Sequence, residues 1–502
     1  MEVIASGSSL DDIPSTPPTA PPSGPPTRVP NQGATTRGAM LYWWALGVFV
    51  LALAWSRAVA LGTTPIGRSE EHFAIGQRLY RTDSLAAGSD PGVLRPPGYP
   101  AFVAATLHLR DALAAIRGLG PSQAGADEDA VLLGQCLVVA ATATVIFAFG
   151  ATVLSPLEAA CAGLVFACGP ITIALVGLRS YHVLHILGLA VGTAQLALAA
   201  RSPRGSPLDG LLPGILWAIA TLVRPVSLIL PPFVLLLARL RRGGTWRSAA
   251  LFTLLFTVGM AIPILPYTVR NHYVTGRLVL VNVQGGVQLW GATVERPQAP
   301  EDSLTWLALW GQYGMNIYRQ VTGDAEYNLT VYSTHVIELE GAFRRQALRN
   351  LRRRPSVYLH NVVNNLRRFC SDPMASWPTT FADQNSLPRS RTRFVVSAYS
   401  LGLLLLAIPG LVRGLCRRDA SAWTLLLVFC SLATAHAVGF FYDRYSYVKL
   451  PLLAMAFTIT LASLEDRSIV LGRTRVRLRL AALLAVTVLV GSASATVLVL
   501  VR

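Results

Sequence analysis

The chain has 502 residues, 52% of them hydrophobic and only 14% charged; a soluble domain carries about 25% charged residues, so most of this chain has to meet lipid. Its 43 basic and 26 acidic residues leave a formal charge of +17, spread over the ends of apolar segments, which argues against nucleic acid as a partner. The six cysteines (Cys136, Cys161, Cys168, Cys370, Cys416, Cys430) form no CxxC and no metal-type spacing, and read as small apolar fillers.

Residues 1–36 are rich in Pro, Ser, Thr and Gly and cannot build a core, so a disordered cytoplasmic tail is expected. Apolar runs then predict spans near 41–60, 131–153, 157–176, 183–200, 210–223, 226–238, 248–268, 394–412, 421–441, 446–463 and 480–500, about 11 membrane segments. The fifth and sixth are short and separated by Arg224-Pro225, as in a short hairpin or one broken helix. The short loops containing Arg201, Arg239, Arg413 and Arg473 fall in the cytoplasm if the amino terminus is inside, as the positive-inside rule asks. The expected protein is therefore an all-α polytopic membrane protein. It has an N-terminal membrane module (37–268) with a first extracytoplasmic loop (61–130), a mostly helical extracytoplasmic insertion (269–393), and C-terminal membrane helices (394–502).

In the first loop, His72-Phe73, Ile75-Gly76 and Leu79-Tyr80 fit one amphipathic helix face. The apolar stretch from Pro100 to Leu109 is too short to span and is expected to lie in the interface. The insertion predicts a helical section over 338–369, with Phe343, Ala347, Leu351, Tyr358, Val362 and Leu366 on its apolar face and arginines such as Arg344, Arg345 and Arg349 on the other. Pro355 should break it.

Candidate chemistry starts with Glu70 and Glu71, two carboxylates just beyond a membrane helix. Acids at a helix start favour the N-terminal dipole, yet a carboxylate held at the bilayer surface is also placed to act as a general base. The turn Leu94-Arg95-Pro96-Pro97-Gly98-Tyr99-Pro100 follows, its backbone fixed by three prolines and a glycine. Arg224, Arg270 and Arg444 sit at helix ends that the topology places outside. Singly, each reads as a snorkelling anchor; together, on the face that holds Glu70, they read as an anion site, since guanidinium binds phosphate bidentately. Tyr445 and Lys449 could add a hydrogen bond and a charge, and Arg95 could do the same or stabilise its loop. His72, His182 and His185 are candidate acid/base groups or metal ligands, weighed against plain polar residues within the bundle. Asn328-Leu329-Thr330 fits a glycosylation sequon, a short pattern that also arises by chance. Neither GxxxxGK[ST] nor HExxH occurs, and nothing indicates nucleotide use.

The acid pair, the amphipathic helix and the "RPPGYP" turn together resemble the polytopic glycosyltransferases of the GT-C fold. Within that fold they are most similar to the family 39 (PMT_2-like) group of protein mannosyltransferases, aminoarabinose transferases and rhizobial lipopolysaccharide glycosyltransferase-like proteins. Four further elements carry the resemblance: Thr221-Leu222-Val223-Arg224-Pro225, Pro266 to Asn271, Gly285-Gly286-Val287-Gln288-Leu289, and Asp443-Arg444-Tyr445 with Pro451. The family's catalytic acid, usually Asp, falls on Glu70, with Glu71 beside it. The Ser-Glu pair often found after the third span is here Arg179-Ser180-Tyr181-His182. The resemblance implies a glycosyltransferase, hexosyl or pentosyl, in the plasma (inner) membrane. It would take its sugar from a polyprenyl-phosphate donor and pass it with inversion to an extracytoplasmic acceptor: a glycolipid, polysaccharide or protein. Some relatives hold a divalent ion near the acid; no cofactor is assigned. The competing expectation is a polyprenyl-linked lipid transporter or flippase, or a non-catalytic lipid-binding protein, since broken helices and intramembrane charge also suit transporters.

Overall fold

A computed structural model describes residues 32–62, 70–118, 126–177, 181–202, 206–240, 245–295, 314–371, 389–439 and 447–465. In chain order the helices are α1 (Gln32–Gly62), α2 (Glu70–Thr82), α3 (Gly98–Ile116), α4 (Asp127–Gly150), α5 (Pro156–Ala167), α6 (Pro170–Gly177), α7 (His182–Arg201), α8 (Leu211–Val223) and α9 (Pro231–Leu240). There follow α10 (Trp246–Thr275), α11 (Gly285–Thr293), α12 (Met315–Thr322), α13 (Leu329–Thr334), α14 (Val336–Arg353), α15 (Pro355–Ser371), α16 (Arg389–Cys416), α17 (Ala420–Val438) and α18 (Lys449–Glu465). Among the described residues there is no strand, only an isolated bridge between Ala87 and Asp90. The chain divides into two compact units, 1–42 and 43–502; the first contributes the opening turns of α1 and the second carries the other elements. Helix α1 starts inside the stretch expected to be an unstructured tail, and residues 1–31 lie outside the described residues.

Among the described residues six helices (α1, α4, α7, α10, α16, α17) are long and apolar enough to cross a bilayer, and the chain is a multi-pass membrane protein. Shorter apolar helices fall on the remaining predicted spans up to residue 463, and the predicted span at 480–500 lies outside the described residues. The span expected at 157–176 is two pieces. Helix α5 opens on a capping box, in which Ser155 Oγ accepts from the Glu158 amide and the Glu158 carboxylate accepts from the Ser155 amide. It stops before Pro170, which disfavours helical backbone at the residue before it.

Glycines bring the membrane helices together. A Cβ added at Gly188 in α7 would sit 2.8 Å from Ala220 Cβ in α8, and one at Gly214 in α8 would sit 2.1 Å from the Phe256 carbonyl oxygen in α10. Such close backbone approach is how helices pack where lipid removes the hydrophobic drive. The start of α8 lies against Phe252 and Phe256 of α10, while α9 ends only a few residues before α10 begins. The beginning of α8 and the end of α9 therefore lie at the same end of α10. The chain reverses at Arg224, and 210–238 is a hairpin. At this end of the bundle Arg201 donates to Thr152 Oγ1 (2.9 Å) and pairs with Asp419 (3.8 Å).

The opposite end carries α2, α3 and the insertion. Helix α2 buries His72, Phe73 and Gly76, and Phe73 shares a core with Tyr99, Val103, Leu107 and Val131 of α3 and α4. Helix α3 runs past the expected Leu109 to Ile116. Beyond the apolar contact, Arg110 reaches Asp127 (2.5 Å), Gln77 donates to Asp127 (2.7 Å), and Tyr80 hydrogen-bonds Asp111, which clamps α2 to the start of α4. In the insertion, Val287 and Trp290 of α11 pack with Leu339, Phe343 and Ala347 of α14, and Val93 and Leu94 from the first loop join this core. Pro355 separates α14 from α15, as expected. The buried face of α15 differs from the expected one: Asn361, Asn365 and Phe369 are buried, Tyr358 and Val362 only half-buried, and Leu366 is exposed. The reason is hydrogen bonding. Asn361 Nδ2 donates to the carbonyls of Ala292 (2.9 Å) and Val294 (3.0 Å) where α11 ends. Asn365 Nδ2 donates to those of Ala437 (3.1 Å) and Gly439 (2.7 Å) where α17 ends. Helix C-termini leave carbonyls unpaired, and the two asparagines supply the missing donors.

Candidate functional site

Arg224 owes its position to its neighbour. The residue before a proline is pushed out of helical backbone, and Arg224 is extended (φ −153°, ψ 117°), with Pro225 opening a short 3-10 turn. This ends α8 and places the guanidinium at the turn of the hairpin. It sits between two tyrosine rings, 5.9 Å from the centroids of both Tyr181 and Tyr447, and Nη1 donates to Tyr447 Oη (3.2 Å). Arginine over a tyrosine face is a favourable cation–π arrangement. Tyr447 Oη also lies 3.0 Å from His185 Nδ1, and His185 Nε2 lies 3.4 Å from Ser227 Oγ. Because Arg224 can only donate, Tyr447 Oη is the acceptor in that bond, which leaves its own proton available to His185 Nδ1.

The turn that carries Arg95 is fitted against the same hairpin. A Cβ added at Gly98 would lie 2.7 Å from Val223 Cγ2 and 2.9 Å from the Leu222 carbonyl group. Glycine thus lets α3 start directly on the last turn of α8, one residue from Arg224. Upstream, Gly92 has φ +62°, where a side chain is strained, and its amide donates to the Asp90 carboxylate (2.8 Å). The Val93 carbonyl accepts from the Val283 amide (3.0 Å), and the Leu94 carbonyl from Asn282 Nδ2 (3.4 Å). Two bonds from the insertion therefore fix the backbone just before Arg95.

Arg95 forms an ion pair with Glu71. Burial opposes the Arg95 charge, but the charge and hydrogen bond of Glu71, with smaller contributions from Tyr181 and Tyr332, raise its pKa above the usual arginine value. Glu71 Oε2 is the atom engaged; Oε1 and Arg95 Nε are buried with no hydrogen-bond partner among the described residues. Unsatisfied polar atoms of this kind are rare in native folds, and a catalytic role is one of the reasons for which they persist. Next to Glu71, the His72 ring lies 5.0 Å from Tyr181 and 6.4 Å from Tyr99. His182 stacks on Tyr181 (4.3 Å) and meets the edge of Tyr447 (4.6 Å). Tyr181, whose phenol also acts on the Arg95 charge, links the Glu71–Arg95 pair to His72 on one side and to Arg224, His182 and Tyr447 on the other.

The other expected residues are placed differently. Arg270 reaches the Gly92 carbonyl (3.4 Å) and Asn271 Oδ1 (3.1 Å), so it buttresses the loop behind Arg95. Lys449 Nζ donates to the Phe369 carbonyl (2.5 Å) and lies 5.2 Å from the Phe369 ring, at the end of α15. Arg444, Tyr445 and the Glu70 side chain lie outside the described residues. Among the described residues no three His, Cys, Asp or Glu side chains assemble as a metal-binding group, and Glu71 faces a guanidinium. The described donors by themselves do not form a divalent-ion site. The sequence reading passed over Tyr447, two residues beyond Tyr445 at the opening of α18, and Tyr327 and Tyr332 of the insertion. Tyr327 is nearly half exposed (48%) and packs on Tyr318 and Tyr332. Burial pushes its phenol up to about 12, with Glu71 adding to the shift and Arg95 opposing it.

The sequence matches no protein-family model and no curated protein. Its structure resembles the oligosaccharyltransferase AglB of Archaeoglobus fulgidus. The form in complex with an inhibitory peptide and a dolichol-phosphate aligns over 92% of this chain at 12% identity with a TM-score of 0.50, and the apo form over 91% at 11% and 0.51. The chain spans about half the length of that protein, 55% in both cases. ArnT from Cupriavidus metallidurans, bound to undecaprenyl phosphate, aligns over 87% of this chain and 79% of its own at 15% identity, but with a TM-score of 0.36 the superposition is too loose to bear weight. The likeness to AglB defines the fold: a polytopic helical membrane protein of the GT-C type.

Proposed function

We propose that this chain is a membrane glycosyltransferase that moves a sugar from a polyprenyl-phosphate donor to an extracytoplasmic acceptor, within or near the family 39 group. The observation that carries the reading is the convergence of Glu71, Arg95, Tyr181, Arg224 and Tyr447, from five separate stretches of sequence, at one end of the bundle. It lies away from the Arg201–Asp419 end, which the positive-inside rule assigns to the cytoplasm.

In this reading the two guanidinium groups take the donor phosphate. Arg224 is braced by its tyrosines, and Arg95 has an unused Nε. The acceptor hydroxyl binds an acidic oxygen of the Glu70–Glu71 pair. Glu71 Oε1 is the described atom left for it, and Glu70 is the alternative base if Glu71 serves mainly to hold Arg95. As the hydroxyl attacks the anomeric carbon, its proton passes to the carboxylate and the C1–O bond to the phosphate breaks, inverting the configuration. The released phosphate charge is stabilised by the arginines. A base contributes about 10²–10⁴-fold, enough with a leaving group that is already stable as an anion. The surrounding tyrosines fit the aromatic walls usual in small-molecule sites.

The test is transfer from a radiolabelled polyprenyl-phosphate sugar by purified protein in the Glu70→Gln and Glu71→Gln variants. One or both are expected to stay folded and lose transfer. Full activity in both removes the catalytic assignment, and binding of the lipid with no transfer by wild type favours a lipid carrier.

A further inference from the structure

The apolar arc of α15 is wider than the protein surface it meets. At 100° per residue, Tyr358, Val362, Asn365 and Phe369 form the inward side of this helix. One row further round come Leu359, Val363, Leu366 and Cys370, and all four are exposed: Leu359 by 61%, Val363 by 64% and Leu366 by 42%. The polar side, with Ser356, His360, Asn364 and Arg367, begins only after that row. The helix thus has three sectors: one on protein, one apolar and open, one polar and open.

Its height is fixed by two tethers. Asn365 binds the last carbonyls of the membrane helix α17, and Lys449 at the start of α18 binds the Phe369 carbonyl near the end of α15. The helix is thus tied to the end of one apolar helix and the start of the next. Just before it, Arg352 and Arg353 are exposed, and Arg367 is exposed on its polar side.

We propose that α15 is seated in the leaflet on the site side of the membrane, with Leu359, Val363 and Leu366 among the acyl chains and Arg352, Arg353 and Arg367 on the phosphates of anionic phospholipids. An apolar row beside a polar, arginine-bearing face is the pattern of a helix lying in the interface. The arginines select an anionic surface as the occupant over a second copy of this chain, whose own surface is strongly basic overall. Through Asn361 the seated helix also holds the end of α11, so the leaflet becomes the support on which the insertion stands.

The test uses the full-length protein in nanodiscs of equal phosphatidylglycerol and phosphatidylcholine, with the photo-crosslinker p-benzoylphenylalanine replacing Val363, Leu359 or, as the polar-side control, Asn364. None of the three is buried, so the substitutions leave the core intact. After irradiation, mass spectrometry is expected to find phospholipid adducts at 363 and 359 and few at 364. Phosphatidylglycerol adducts should exceed phosphatidylcholine adducts by about fivefold for each arginine that contacts the surface, the factor set by about 1 kcal/mol per basic residue near an anionic leaflet. Arg352→Gln with Arg353→Gln and Arg367→Gln should erase that excess. Equal lipid labelling at 363 and 364 overturns the seating. Adducts with the mass of two chains assign the row to a second copy instead, and a lipid ratio unchanged by the arginine substitutions removes the anionic selection.

Discussion

Replacing Gly98 by alanine separates stability from positioning. The added methyl meets Val223 Cγ2 at 2.7 Å and the backbone of Leu222 at 2.9 Å. Val223 can rotate, but the helix backbone cannot, so α3 must shift by several tenths of an ångström away from α8. Overpacking of this kind typically costs about 1–3 kcal/mol, a modest loss for a bundle of this size. The effect on the site is larger, because the methyl is inserted between the turn bearing Arg95 and the helix end bearing Arg224. A misplacement of about 1 Å between reacting groups can cost about 10²-fold. Under the proposed function, the expected outcome is a small drop in melting temperature, polyprenyl-phosphate binding weakened about tenfold if one phosphate contact worth about 1.4 kcal/mol is lost, and transfer reduced further. Gly402→Ala is the control: no atom lies within 4 Å of its added methyl, and it should be neutral or slightly stabilising. If wild type binds the lipid phosphate and Gly98→Ala binds it equally well, Arg95 and Arg224 do not act on one headgroup.

A double-mutant cycle on Glu71→Gln and Arg95→Met should show a coupling of about 2 kcal/mol, between the values for exposed and buried pairs, because both side chains are about a quarter exposed; thermal unfolding in detergent reads it, and additive effects would mean that the pair contributes nothing. Glu340 accepts from the Gly286 amide at the start of α11, but burial outweighs this bond and raises its pKa above the usual glutamate range. A carboxyl raised on folding holds its proton longer in the native state, so wild type should lose stability relative to Glu340→Gln as pH rises from about 4.5 through that raised value, and a constant difference between the two would refute it. Asn365→Ala removes both donors to the end of α17 and should cost about 2 kcal/mol at about 1 kcal/mol per hydrogen bond; unchanged unfolding would show that water replaces them.

The helices of the membrane module were legible because apolar runs and flanking arginines act locally: proline sterics predict the break at Arg224-Pro225, and the packing along α10 makes it a hairpin rather than one broken helix. The partners of Arg95 were not legible. Periodicity identifies the faces of α2 and α14, but nothing in the order of residues says that Leu94 enters a core with Phe343, or that Asn282 holds its carbonyl. The α15 face was misread for a related reason. Asparagine counts as polar in a pattern, yet Asn361 and Asn365 are buried because two other helices end against them. Arg270 and Lys449 show the limit of reasoning from charge: both lie at the expected end of the bundle, and both hold backbone carbonyls.

The plug of Val93 and Leu94 in the core of the insertion also sets an order of assembly. These residues are made long before Leu339, Phe343 and Ala347, the surface that receives them. At about 5–20 residues per second, translation needs roughly 10–50 s to cover the interval. During that time the first loop must wait with two aliphatic side chains uncovered and Arg95 unguided. A ribosome stalled within α14 would leave a bundle with most of its helices inserted and no functioning centre.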